Sequence, residues 1–170
     1  MILIALGANL ATERYGPPER GLAAALRSLE TAGVALIQRS NWYRSAPFPP
    51  ADQPLYVNGV AEVASDLSPA ALMTVLLDIE AAFGRRRGVR NAARVMDLDL
   101  IDFDGQILDR AGDESGLALR LPHPRLSQRA FVLLPLAEIA PLWRHPENRR
   151  HIDDLIADLP EGQKIERLET

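Results

Sequence analysis

The chain has 170 residues, 47% of them apolar, and a formal charge of −4. That is enough apolar mass for one well-cored domain, and the acidic balance argues against a general nucleic-acid coat. With no cysteine, disulfides and thiolate metal sites are excluded. The opening run 2–6 is too short for a signal-peptide core and lacks a basic leader. No run approaches the ~20 apolar residues of a membrane span, so a single cytoplasmic domain over 1–170 is the expectation.

In chain order, 2–6 reads as a strand ending at Gly7. After Pro17-Pro18, Leu22, Ala25, Leu26 and Leu29 recur at helical spacing until Gly33. Segments 34–43 and 56–64 are β-compatible, and the stretch 47–54, with four prolines, separates them as a stiff loop. Ser68-Pro69 supplies an N-cap and a proline at the first helical position. Leu72, Val75, Leu76, Ile79 and Phe83 then make one stripe that stops at Gly84. A strand runs to Phe103, where Asp104-Gly105 signals a tight hairpin into Gln106-Ile107-Leu108. Beyond it lie a polar loop at 111–116, an edge strand at 119–121, an apolar helix starting near Arg129 with Pro135 inside it, and a short amphipathic helix carrying Ile152, Leu155, Ile156 and Leu159. The order β-α-β-β-α-β plus an extra strand predicts an α+β, ferredoxin-like domain: a mostly antiparallel sheet with helices packed on one face. Fold alone carries little function.

Chemistry concentrates in four groups. Asp97 and Asp99 stand one residue apart in an apolar strand. Alternation puts both on one face, about 6.6–7 Å apart at Cα, with Met96, Leu98 and Leu100 on the other. Burying such acids without a partner costs several kcal/mol, so a cation is implied, and two carboxylates with open coordination suit Mg²⁺. The competing reading is a pair of solubility charges on an edge strand, against which Leu98, Leu100 and Ile101 read as core. All but one of the 19 cationic residues are arginine, and Arg85, Arg86, Arg87, Arg90 and Arg94 cluster just before the aspartates. A polyphosphate would neutralise them; a solvated basic loop is the alternative. His123 is held between Pro122 and Pro124, with Arg129 six residues on, a restrained backbone useful for aiming a donor, although a lone histidine ordinarily has no role. His145 and His151 have no such context. Tyr56 and Asn58 share one face of their strand, and with Phe131 they could hold a flat heterocycle, the rings by stacking and the amide by reading its edge. Core packing explains each aromatic equally well.

These residues fall into ordered motifs: Ile4-Ala5-Leu6-Gly7-Ala8-Asn9-Leu10, Tyr43-Arg44-Ser45-Ala46-Pro47, Asp52-Gln53-Pro54-Leu55-Tyr56-Val57-Asn58, Ile79-Glu80, Gly84-Arg85-Arg86-Arg87, Arg94-Val95-Met96-Asp97-Leu98-Asp99-Leu100, and Pro122-His123-Pro124 with Arg129-Ala130-Phe131-Val132-Leu133. Together they resemble the 6-hydroxymethyl-7,8-dihydropterin pyrophosphokinase family of folate biosynthesis along nearly the whole chain. The resemblance implies transfer of the terminal pyrophosphate of ATP to the pterin hydroxymethyl group, with release of AMP. It implies that Asp97 and Asp99 hold two Mg²⁺, and that Arg85, Arg94, His123 and Arg129 contact the triphosphate, with Glu80 and Arg87 on the nucleotide side. Tyr56 and Phe131 would sandwich the pterin near Phe48, and Asn58 with the backbone near Ser45 and Ala46 would read its edge. It further implies a monomer that binds ATP and pterin but neither nucleic acid nor membrane, and loops at 47–54 and 84–93 that close over the substrates. The chain departs from the family pattern at Asn91-Ala92-Ala93, where one branch has Trp-Gly-Pro. Serine at 45 and phenylalanine at 48 replace the commoner threonine and leucine, and loop 111–116 is longer. Two rivals remain: a ferredoxin-like nucleic-acid-binding module, which predicts paired aromatics on central strands, and an Asp-x-Asp nucleotidyltransferase, which would release pyrophosphate.

Overall fold

The computed structural model describes residues 1–85, 93–110 and 118–169, apart from the Arg110 side chain. Among these residues four α-helices and eight strands are formed: β1 (Ile2–Ala8), α1 (Pro18–Thr31), β2 (Ala35–Arg39), β3 (Tyr43–Ser45), β4 (Tyr56–Ala64), α2 (Pro69–Ala82), β5 (Asp97–Phe103), β6 (Leu108–Arg110), β7 (Leu119–Leu121), α3 (Ala130–Ile139), α4 (Ile152–Ala157) and β8 (Ile165–Arg167). The main sheet runs β5-β1-β4-β3-β8, with β2 also paired to β4, and every pairing is antiparallel. With β2 and β3 taken as one interrupted strand, this is the ferredoxin-like order expected from the sequence.

Both long helices start as their sequences predict. Pro18 and Pro69 occupy first-turn positions, and the Ser68 hydroxyl accepts the Ala71 N–H at 3.3 Å. Gly84, at φ +87°, reverses the chain after α2 so that the Arg85 N–H returns to the Glu80 carbonyl at 3.0 Å. That turn delivers the Arg85 side chain to the sheet.

Period-2 alternation on β1 divides the interior into two cores. Ile2, Ile4 and Leu6 face α1 and α2 with Leu22, Leu26, Leu72 and Leu76, whereas Leu3 joins Val60, Ile101, Val132, Leu133 and Leu136 under α3. Helices therefore cover both faces, not one as the sequence suggested. The reason is that α3 and α4 carry an apolar surface that needs its own partner. A bulge opposite Leu3 and Ile4 leaves Ile101 outside the ladder, and the neighbouring Asp102 is buried as acceptor for Trp143 Nε1 at 2.7 Å.

Other expectations need correction. The segment 34–43 is two strands, broken where Ser40 Oγ takes the Val60 N–H at 3.0 Å and Trp42 turns into the α1/α2 core. The Asp104-Gly105 turn forms, with φ 52° and 67° and a Gln106 N–H to Phe103 carbonyl bond of 2.9 Å. Yet β6 pairs with β7 in a separate two-stranded sheet instead of returning on β5, because Leu108, Leu119 and Leu121 join the α1/α2-side core. The strand at 119–121 is thus not on the main sheet. β5 is itself outermost, paired with β1 alone among the described strands, although its apolar side chains are buried as expected. β8 had no clear signal in the tail.

Candidate active site

Ala5 and Gly7 lie on the face of β1 opposite the α1/α2 core. Their register neighbours are Asp99 and Asp97 on β5, while Gly7 also pairs with Asn58 on β4. A residue with no side chain between two chemically loaded strands opens a hollow, and a cavity of about 270 Å³ occupies it. A Cβ on Gly7 would sit 3.3 Å from Asn58 Oδ1, so this glycine keeps the floor low.

The aspartates project to one side, as period-2 geometry requires, and each has its own cations. Asp97 pairs with Arg85 at 2.7 Å and Arg94 at 2.5 Å. Asp99 faces Arg129 at 3.5 Å and His123 Nε2 at 3.9 Å. Burial and then the neighbouring Asp99 charge push the Asp97 carboxyl above its ordinary range, against the pull of Arg94 and Arg85. Two crowded carboxylates with oxygen donors alone, open to the cavity, fit a hard divalent ion. No group of three or more acidic, histidine or cysteine side chains is arranged to hold a metal among the described residues. Any ion here must therefore complete its shell with water and substrate oxygens.

Glu80 stands behind this array. It is 2% exposed and does not line the cavity; its carboxylate accepts the Leu98 N–H at 2.6 Å and pairs with Arg85. Burial pushes its carboxyl up to about 7, with Leu98 and Arg85 opposing. Its contacts are those of a support for Arg85, where the family resemblance had implied nucleotide contact.

His123 is set by backbone pairing: its N–H bonds the Ile101 carbonyl at 3.0 Å on the free edge of β5. Nδ1 accepts the Arg125 N–H at 3.2 Å, so in the neutral ring the proton resides on Nε2, which faces Asp99. Burial lowers the His123 pKa, only partly countered by Asp99. The ring presents Nε2 to the carboxylate side of the cavity.

Phe48, Tyr56 and Phe131 line the other side, with Arg129 over the Phe131 ring at 5.4 Å. Asn58 Nδ2 donates to Ser45 Oγ at 2.9 Å in buried surroundings, which fixes which way the amide points. Ala46 does not line the cavity, and its N–H is bonded to the Lys164 carbonyl. Of the sequence-predicted residues, the cavity therefore gathers Ser45, Phe48, Tyr56, Asn58, Arg85, Arg94, Asp97, Asp99, His123, Arg129 and Phe131. It leaves Glu80 and Ala46 outside. Arg87, with Arg86, Arg90, Asn91, Ala92 and loop 111–116, lies outside the described residues. Sequence reasoning missed Arg125 and the small floor of Ala5 and Gly7. Arg125 had a signal in its place directly after the Pro-His-Pro turn. A second cavity of about 400 Å³ shares Asp99 and His123 with the first and extends past Leu100, Leu119 and Arg120.

Known proteins match this chain in sequence and in fold. The family model described as 7,8-dihydro-6-hydroxymethylpterin-pyrophosphokinase (HPPK) matches residues 3–141. A Pseudomonas aeruginosa 2-amino-4-hydroxy-6-hydroxymethyldihydropteridine pyrophosphokinase is 41% identical over 98% of this chain and 96% of its own length. A Synechocystis protein of the same name is 40% identical over 91% of this chain and 73% of its own. Among solved structures, a Plasmodium falciparum HPPK-DHPS triple mutant superposes with a TM-score of 0.71 at 13% identity, covering 92% of this chain and 43% of that one. The shared fold, the match over most of the sequence and the relatives at about 40% identity agree: the chain belongs to the 7,8-dihydro-6-hydroxymethylpterin-pyrophosphokinase family.

Proposed function

We propose that this chain transfers the pyrophosphate of ATP to the hydroxymethyl oxygen of 6-hydroxymethyl-7,8-dihydropterin, giving AMP and the pterin diphosphate for folate biosynthesis. The observation that carries the reading is the cavity itself: Asp97 and Asp99 with separate arginines on one wall, and Tyr56, Phe131 and Asn58 on the other. One wall suits a triphosphate and the other a flat heterocycle rich in hydrogen-bonding edges.

Asp97 and Asp99 are the residues that would hold two Mg²⁺, which supply neutralisation of the triphosphate charge and polarisation of its phosphorus. Arg85 and Arg94, now paired with Asp97, lie where they can turn to triphosphate oxygens, joined by Arg129 and the His123 Nε2–H. Tyr56 and Phe131 hold the pterin with its hydroxymethyl toward the aspartates; Phe48 borders that pocket, and Asn58, locked by Ser45, reads the ring edge. The hydroxymethyl oxygen bonds to the β-phosphorus as the bond from that phosphorus to the α,β-bridging oxygen breaks. The electron pair leaves with AMP and the hydroxyl proton passes to water. Positioning and fixed charge suffice for this, and no dedicated base is required. The second cavity, continuous with Asp99 and His123, takes the nucleoside end. Glu80 acts through Arg85, and Arg87 joins the nucleotide side.

We take a single-domain monomer as the working unit. No helix among the described residues is long and apolar enough to cross a membrane, and the need for ATP favours the cytoplasm. The test is incubation with ATP, Mg²⁺ and the hydroxymethyl pterin. AMP formed one-for-one with pterin diphosphate is the expected result. ADP would mean single-phosphoryl transfer, and free pyrophosphate would mean nucleotidyl transfer; either overturns the reading.

A further inference from the structure

Asn9 follows β1 directly, is 3% exposed, and does not line the cavity. Its backbone N–H and both ends of its side-chain amide are nevertheless bonded to Arg94, which does line it, and to Gln53 and Pro54 in the loop that carries Phe48 and Ala51. Its backbone N–H donates to the Arg94 carbonyl at 2.9 Å and its Oδ1 accepts the Arg94 N–H at 2.7 Å. The Arg94 backbone is thus held on both sides, as by a strand partner. From the same side chain, Nδ2 donates to the Pro54 carbonyl at 3.1 Å and to Gln53 Oε1 at 3.3 Å. Gln53 Oε1 also accepts the Tyr56 hydroxyl at 3.3 Å.

We propose that Asn9 is a positioning residue that ties the Arg94 segment to the proline loop, so that the phosphate-facing arginine and the pterin-facing loop are set by one buried amide. The inference rests on the function proposed above, since that reading puts Arg94 on the triphosphate and the loop on the pterin. An amide is the side chain this position requires. One end must accept from Arg94 while the other donates to Pro54; a carboxylate supplies only the first, and a hydroxyl cannot span both. Because the group is buried, losing either partner leaves a polar backbone atom without water to replace it.

The chemistry separates the two arms. Asn9→Asp, read at pH 8.5 with the new carboxyl ionised, keeps the acceptor for Arg94 and loses the donor to Pro54. Asn9→Leu, of similar size, loses both. Dissociation constants are measured for an ATP analogue with a methylene between the α and β phosphorus atoms and for the oxidised hydroxymethyl pterin, alongside turnover and thermal midpoints. Asn9→Leu is expected to weaken both ligands by about tenfold and to lower kcat further, the size set by one lost buried hydrogen bond per arm. Asn9→Asp is expected to restore nucleotide affinity to within about threefold of the parent while pterin affinity stays about tenfold down, a split that general loosening of the fold would not produce. Unchanged affinities in Asn9→Leu, or equal losses of both ligands in Asn9→Asp, overturn the assignment. If Asn9→Leu does not fold, the Asn9→Asp split alone decides. Failure of the parent to release AMP would instead remove the proposed function, and the analogue-binding measurements would still report on Asn9.

Discussion

The Glu80 carboxylate accepts the Leu98 N–H at 2.6 Å and thereby ties the end of α2 to the residue between the two aspartates. Because the same carboxylate holds Arg85, one buried acid sets both a strand and a cation of the site. Glu80→Ala strands the Leu98 N–H in the interior, a loss of about 1–3 kcal/mol. Glu80→Gln returns an acceptor to Leu98 but gives up the charge on Arg85. The expected outcome is a clear drop in the urea midpoint for Glu80→Ala, and near-parent stability with a raised KM for ATP for Glu80→Gln. An alanine variant as stable as the parent would refute the support role.

Asp97 and Asp99 reach the cavity from β5, and Tyr56 and Asn58 reach it from β4 across β1. Asp97→Ala or Asp99→Ala should therefore abolish turnover while affecting pterin binding much less, and chelation of divalent ions should do the same to the parent. Activity within tenfold of the parent would contradict the metal role. Arg94, 2.5 Å from Asp97, is expected to contribute about 2–4 kcal/mol to the transition state, read as the fall in kcat/KM of Arg94→Ala. An unchanged rate would remove it from the site.

Gly7 separates the two walls on the cavity floor. A Cβ there, 3.3 Å from Asn58 Oδ1, makes the amide yield by a few tenths of an ångström against the bond it makes to Ser45 Oγ. Gly7→Ala is expected to raise the pterin KM by about tenfold, an overpacking cost of roughly 1–2 kcal/mol, with the KM for ATP within twofold. Equal changes in both KM values would show a general distortion of β1 instead.

What the sequence made legible follows the local or remote origin of each signal. The alternation Asp97-Leu98-Asp99-Leu100 and the Ser68-Pro69 start of α2 are written in neighbouring residues, and both appear as expected. The Asp104-Gly105 turn was legible for the same reason, but where the chain went next depended on Leu119 and Leu121, which no local rule reaches. Glu80 shows the limit at the site: its position in the motif was visible, its burial behind Arg85 was not, because that comes from the packing of α2 against β5. Asn9 is the extreme case, since its partners lie at least 44 positions away.

His145 offers a test of burial far from chemistry. It is 6% exposed, its ring meets Trp143 edge-on at 5.9 Å, and Nδ1 has no hydrogen-bond partner. Burial lowers its pKa below the ordinary 6.5, with Glu147 and Asp102 only partly opposing. The unfolded chain therefore takes up this proton first as pH falls, so protonation of His145 draws the equilibrium toward the unfolded state and stability is lost progressively below 6.5. The loss cannot exceed about 1.4 kcal/mol per pH unit for one proton. His145→Phe keeps the ring and deletes the titration. Unfolding free energies measured from pH 7.5 to 5 should show a steeper acid loss in the parent than in His145→Phe, and parallel curves would show that His145 takes up its proton equally readily folded and unfolded.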